Sequence, residues 1–365
     1  MTPRRHKGRY PLSSITCMRI FSSFSRTYAI WAYSLISTAV LICPHFFQRT
    51  SGLKAVSTIC EHNRTEPSSV IVRIEEILRI SSEEFVTGEQ VSALCDVAFY
   101  SKGYVDQFPS VRKHAKALLF IDEPLSSVSK HLVSTSRVFF IKLDHVKYFI
   151  DEVVPLLRTP FVLVSHRSDI TAGTIPELLN NPNLLRWYGC NMMPHPKTMS
   201  IPLGLEDVDM WRRTDTGLIQ RARDAEKTKL LYLYFNEATN KDLRSDAMRS
   251  LQRNGFSKQR RESWSSYIEE LSKYKFCASP EGNGIDTHRM WECLYLGVTP
   301  IVVRTPALEH WYSDLPILWI NTFDQVTKEL LHRVRFEIQR GKTLHKHSLY
   351  SMRSISASLQ REFED

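Results

Sequence analysis

The first sixty residues contain no aspartate or glutamate, yet they hold eight of the 48 lysines and arginines. The rest of the chain therefore carries 40 basic against 39 acidic side chains, and the formal charge of +9 belongs almost wholly to the N-terminal extension. After residue 60 there is no basic patch interleaved with aromatics, which excludes the usual footprint of DNA or RNA binding and nucleic acid as a partner. Zinc ligation lacks its spacing as well, because none of the seven cysteines forms a CxxC pair or a Cys/His cluster. Cys17 and Cys43 fall in the extension. Cys60, Cys95, Cys190, Cys277 and Cys293 are an odd number for the body, so at least one thiol is left over. Cys277 and Cys293 sit on apolar faces and read as small buried hydrophobes.

The extension reads as a membrane anchor. Arg4, Arg5, Lys7, Arg9, Arg19 and Arg26 precede a stretch from Tyr28 to Phe47 that has no Lys, Arg, Asp or Glu. A helix of about 20 apolar residues spans a bilayer, and the larger basic count upstream than at Arg49 and Lys54 predicts a cytoplasmic N-terminus. The expected layout is a cytoplasmic tail at 1–27, a transmembrane signal anchor at 28–47 and a stem at 48–69. Asn63-Arg64-Thr65 is an N-glycosylation acceptor in that stem, which favours a body in the Golgi or ER lumen. The competing reading is a cleaved organelle transit peptide, rich in Arg and Ser and free of acids.

Residues Phe276 to Val303, FCASPEGNGIDTHRMWECLYLGVTPIVV, carry most of the functional information. Two glycines and a proline make Ser279 to Gly284 a tight loop. Asp286 or Thr287 is the expected N-cap of a helix over His288 to Leu296, Gly297 suits its C-terminal stop, and Thr299 to Val303 is a β-branched strand. This is one βαβ unit of an open parallel sheet, in which ligands sit beyond the carboxyl ends of the strands and a glycine loop opening a helix offers N–H groups to an anion. Arg289 and Glu292, three apart, share one side of the helix, the first suited to phosphate and the second to ribose hydroxyls.

The spacing R-x-x-E-x-x-x-x-G-x-x-P, formed here by Arg289, Glu292, Gly297 and Pro300 after S-P-x-G at Ser279 to Gly282, resembles the donor-domain signature of exostosin-type glycosyltransferases. More loosely it is similar to the donor helix of α1,3-fucosyltransferases. The resemblance covers about thirty residues. It implies an α/β chain of the GT-B kind: two Rossmann-like domains facing a cleft, with a nucleotide sugar as substrate, no cofactor and no metal. Glu281 stands where the family commonly has arginine. A catalytically inactive, membrane-anchored carbohydrate-binding homologue would keep the same fold, and Glu281 is the residue that favours it.

The expected domains are 70–219 on the acceptor side, 220–330 for the donor, and a helical segment at 331–365 that, by the same resemblance, returns to the first domain. Strands are expected at Ala117 to Ile121, Arg137 to Ile141 and Phe161 to Ser165, and helices at Val70 to Ile80, His145 to Leu157 and Ile175 to Leu179. In the second domain a strand over Leu230 to Phe235 leads to a helix from Asp242 to Asn254, which places Asn236, Asn240 and Arg244 at a helix N-terminus. An arginine there is similar to the phosphate-binding arginine of fucosyltransferases; the alternative is the wet face of an amphipathic helix. The donor set is thus Asn236, Asn240, Arg244, Ser279, Glu281, Gly282, Asn283, Gly284, Asp286, Thr287, Arg289 and Glu292.

A general base is expected from the first domain, with Asp169, His166 and Asp106 as candidates, the first two delivered by FVLVSHRSD to a strand's carboxyl end. Trp187 and Tyr188 with Asn191, His195 and Lys197 could form a stacking platform for a glycan or glycoprotein acceptor, against core packing of Trp187. Asp207-Val208-Asp209 matches the D-x-D by which metal-dependent glycosyltransferases hold a nucleotide diphosphate, but it follows no apolar strand. The sequence reading is an inverting, metal-independent glycosyltransferase, with the D-x-D class as an alternative.

Overall fold

The computed structural model describes residues 85–207 and 214–340, with Ile355, Ser358, Leu359 and Glu362. The signal anchor, Asn63, the helix expected at Val70 to Ile80 and Asp209 lie outside the described residues. All described residues belong to one compact unit, Pro67–Asp365. Among them no helix is long and apolar enough to cross a membrane.

The architecture is α/β and Rossmann-like, built on two wholly parallel sheets. The first takes β1 (Val97–Tyr100), β2 (Leu118–Phe120), β3 (Val138–Lys142), β4 (Phe161–His166), β5 (Leu184–Gly189) and β6 (Thr198–Ser200) in the order β2-β1-β3-β4-β5-β6. The second takes β7 (Lys229–Tyr232), β8 (Tyr274–Ala278), β9 (Thr299–Val303) and β10 (Leu318–Ile320) in the order β10-β9-β8-β7.

Continuous apolar runs mark strands covered on both faces. In β4, Phe161 and Leu163 join one core cluster while Val162 and Val164 join another. In β8, Phe276 and Ala278 face one core and Cys277 the other. Chain order reverses direction between β1 and β3, the crevice where ligands of such sheets bind.

Several sequence expectations hold to within a residue or two, among them β3, β4, β8, β9 and the helices Lys241–Arg253 and His288–Tyr295. Gly297 ends the latter with φ +65°, the left-handed value a C-terminal glycine supplies without steric cost. The helix expected over His145 to Leu157 is corrected. It breaks into a 3₁₀ turn, a single α turn, a π turn over Phe149–Val153 and a second 3₁₀ turn over Val154–Leu156. Pro155 supplies no N–H and clashes with the carbonyl four residues back, so a regular helix cannot pass through it.

The aromatic platform is corrected too, because Trp187 is 0% and Tyr188 1% exposed on β5. Trp187 donates its indole N–H to Ser165 Oγ at 2.8 Å. Of the residues described after 340, Ile355 and Leu359 are buried in the core of the first sheet, and Tyr188 Oη donates to Glu362 Oε1 at 2.8 Å.

Candidate functional site

A cavity of about 850 Å³ opens where the carboxyl ends of the two sheets meet. Residues after β3 and β4 line one side, including Lys142, Asp144 and His166 to Ile170; residues after β7 and β8 line the other, including Asn236, Arg244 and Gly282 to Gly284. Loops at these strand ends are where two parallel sheets can present side chains without interrupting a ladder.

The glycine loop is fixed from both halves. Asn240 Nδ2 donates to the Gly282 carbonyl at 2.9 Å, and Arg244 Nε donates to the Glu281 carbonyl at 2.7 Å. Arg244 Nη1 also donates to the Asn236 carbonyl at 2.9 Å. The phosphate role read for Arg244 is therefore corrected to a clamp that ties the loop to the start of helix Lys241–Arg253. Asn236 accepts from Ala238 N–H at 3.2 Å and so closes its own turn. The Gly282 N–H reaches the Gly284 carbonyl at 3.1 Å, which removes it from an anion cradle. Ser279 Oγ meets Thr287 Oγ1 at 3.2 Å, and Thr287 is the N-cap, accepting from Met290 N–H. Glu281 is half-buried, lies outside the cavity lining, and burial pushes its carboxyl pKa up.

From the first half, Asn191 crosses the seam. Its Nδ2 donates to the Ser168 carbonyl at 2.9 Å and its Oδ1 accepts the Asp286 N–H at 2.8 Å, from a backbone at φ +52°. Asp286 Oδ2 accepts the Leu203 N–H at 2.9 Å and its Oδ1 accepts Trp291 Nε1–H at 2.7 Å. Burial raises the Asp286 carboxyl to about 7, against the pull of these N–H donors. Asn283 Nδ2 donates to Asp169 Oδ2 at 3.1 Å, a further bond across the seam. Sequence reasoning named Asp286 and Asn283 but could not show that Asn191 and Asp169 are their respective counterparts, since the pairs are 95 and 114 residues apart.

Arg289 and Glu292 both meet Tyr267, but only the arginine reaches the cavity. Glu292 is 1% exposed; its Oε1 accepts Trp264 Nε1–H at 3.0 Å and its Oε2 accepts the Tyr267 hydroxyl at 2.8 Å. It does not line the cavity, so the ribose contact read for Glu292 is corrected to a buried anchor for two aromatic side chains. Arg289 is half-buried and does line the cavity, with its guanidinium 5.0 Å from the centre of the Tyr267 ring. Among the described residues its side chain makes a 3.9 Å approach of Nη1 to Cys277 Sγ and has no carboxylate within ion-pair distance. Burial disfavours its charge, but Tyr267, Cys277 and Glu292 around it hold the guanidinium firmly protonated.

No protein-family model and no curated protein matches this chain. The geometry alone must therefore separate the remaining candidates. His166 is 1% exposed, and its Nε2 lies 2.9 Å from the Pro202 carbonyl, which can only accept. The proton is thus on Nε2, and Nδ1 is a buried lone pair with no partner among the described residues. Burial lowers the ring's pKa to about 4, so His166 stays neutral at physiological pH. Asp169 is exposed and lines the cavity. Asp106 pairs with Arg112 at 2.9 Å on the surface and does not line it.

Asp207, from the D-x-D, forms a buried ion pair with Arg167 at 2.5 Å and accepts the Glu89 N–H at 2.8 Å, so both its oxygens are taken. The run FVLVSHRSD also places Arg167 at the strand's carboxyl end, but the sequence does not pair it with Asp207. Arg167 follows β4 at φ +60°, 5.7 Å and 5.8 Å from the Tyr100 and Tyr104 rings, and fits only because Gly88 has no Cβ, which would sit 2.5 Å from its Nε.

Proposed function

We propose that this protein is a GT-B glycosyltransferase that moves a sugar from a nucleotide-sugar donor to a hydroxyl of a glycan or glycoprotein, with inversion. The observation that carries this reading is Arg289: a cavity-lining cation with no carboxylate within ion-pair distance among the described residues, at the first turn of a helix whose N-terminus opens on the same cavity between two parallel sheets. A leaving diphosphate develops negative charge as the anomeric C–O bond breaks, and a cation beside a helix N-terminus stabilises that charge most where water is scarce. Asp169, on the opposite wall, takes the proton from the acceptor hydroxyl as its oxygen bonds to the anomeric carbon. His166 is the poorer candidate because its ring is buried and its Nε2 is committed to the Pro202 carbonyl. The same reading puts the body in the Golgi or ER lumen behind the signal anchor, where endoglycosidase treatment would shift the mobility of the wild type but not of Asn63→Gln.

The decisive experiment is calorimetric titration of the full-length protein with a nucleoside diphosphate. Charge-assisted hydrogen bonds contribute about 1.5–3 kcal/mol, so Arg289→Ala should weaken binding roughly tenfold to hundredfold. Unchanged affinity would make Arg289 a structural residue and remove the basis of the proposal.

A further inference from the structure

Trp264 lies outside every motif in the sequence, yet it borders the cavity beside Tyr267 and Arg289. It opens the helix Trp264–Leu271, whose N-cap Ser263 accepts from Ser266 N–H at 3.3 Å. The indole has one polar atom, a donor, and that donor is held from behind by buried Glu292 at 3.0 Å. What remains for the cavity is the hydrocarbon surface of a ring whose orientation is fixed. Tyr267, one turn along the same helix, is fixed by the other oxygen of the same carboxylate, and Arg289 sits over its ring. The wall therefore offers a flat apolar surface next to the Arg289 guanidinium.

We infer that Trp264 is the stacking platform for the nucleobase of the donor, and that Glu292 is the positioning residue that sets the plane of its ring. This rests on the reading of Arg289 as the phosphate contact. In a nucleotide sugar the base and the sugar lie at opposite ends of the diphosphate. Asp169, which must reach the acceptor hydroxyl at the anomeric carbon, is on the first-sheet wall; Trp264 is on the second-sheet wall with Arg289. With the diphosphate at Arg289, the sugar points toward Asp169 and the nucleoside toward Trp264. A face without an available donor or acceptor recognises its ligand by π-stacking, which every base can supply. The side chains behind the wall are thus as much part of recognition as those that touch the ligand.

The test uses the full-length protein with uridine diphosphate, guanosine diphosphate, inorganic pyrophosphate and glucose 1-phosphate as probes. Stacking of one base corresponds to roughly a 5- to 150-fold change in affinity. Trp264→Ala should weaken both nucleoside diphosphates by that factor and leave pyrophosphate unchanged, while Trp264→Phe should keep most of the affinity. Glu292→Gln should also lower the ratio of nucleotide to pyrophosphate affinity, which a general loss of stability would not do. Three results overturn the inference: nucleotide affinity unchanged in Trp264→Ala, equal losses for nucleotide and pyrophosphate, or a loss confined to glucose 1-phosphate, which would mean that a sugar stacks there. If the wild-type protein binds none of the four probes, the Arg289 reading itself fails; if it binds nucleotide through Arg289 but not through Trp264, only this inference does.

Discussion

Replacing Gly284 by alanine tests the seam between the two sheets directly. An added Cβ at position 284 would lie 2.8 Å from Asn191 Nδ2 and 2.9 Å from its Oδ1, closer than real Cβ atoms come to their neighbours. Asn191 is 2% exposed and cannot swing away without releasing the Ser168 carbonyl and the Asp286 N–H. Two hydrogen bonds at about 1 kcal/mol each, together with overpacking of about 1–3 kcal/mol, give an expected destabilisation of roughly 3–5 kcal/mol. For a chain of this size that corresponds to a fall in Tm of roughly 6–20 °C at about 2–4 °C per kcal/mol.

Urea unfolding of Gly284→Ala, Asn191→Ala and the double variant forms a cycle. In the Asn191→Ala background the new methyl group has room, so Gly284→Ala should then cost less than about 1 kcal/mol, leaving a coupling of at least about 2 kcal/mol. Additive single-variant effects would mean that Gly284 does not depend on Asn191, and the argument for the seam would be refuted.

Asp207→Ala should cost roughly 3–5 kcal/mol in urea unfolding, because it leaves the Arg167 charge buried without its partner; Arg167→Met combined with Asp207→Leu should recover most of that loss. Two buried groups tilt the pH dependence of stability in opposite directions, and single variants separate them. Asp286 is raised from 3.8 to about 7, so its contribution is complete below about pH 4 and is lost as pH rises toward 7, at up to about 1.4 kcal/mol per pH unit. His166 is lowered from 6.5 to about 4, so its contribution is present above about pH 6.5 and is lost as pH falls toward 4. Thermal unfolding between pH 4 and 7.5 should therefore rise more steeply with pH in Asp286→Asn than in the wild type, and less steeply in His166→Phe; parallel curves for all three would contradict both assignments.

The stretch from β8 through the glycine loop to β9 was legible because each of its signals is local. A proline and two glycines exclude regular structure over six residues, a threonine caps, a glycine stops, and β-branched residues follow. What each polar group in it does was not legible. Helical spacing puts Arg289 and Glu292 on one side of a helix, but only the packing of Trp264–Leu271 against that side decides that the arginine reaches the cavity and the glutamate does not. Arg244 read as a phosphate ligand because the carbonyls it holds, at 281 and 236, are brought to it by folding. Short strands such as β1 and β6 were missed because three or four apolar residues carry no period of their own. Asn191 was read as part of an acceptor platform, and its left-handed backbone and its bonds across the seam are visible only in the structure.

The packing of the chain's two described ends bears on how this protein is made. Phe85 lies in the core of the second sheet, although the next residues belong to the first, and Ile355 and Leu359 lie in the core of the first sheet, although they follow the second. Neither half is a continuous stretch of sequence. During synthesis, when domains ordinarily fold in the order in which they emerge, the first sheet must wait for Ile355 and Leu359 before its own core is closed, with the second sheet built in between. A fragment cut between the halves would leave each with an open apolar patch, so the two parallel sheets are expected to be gained and lost together.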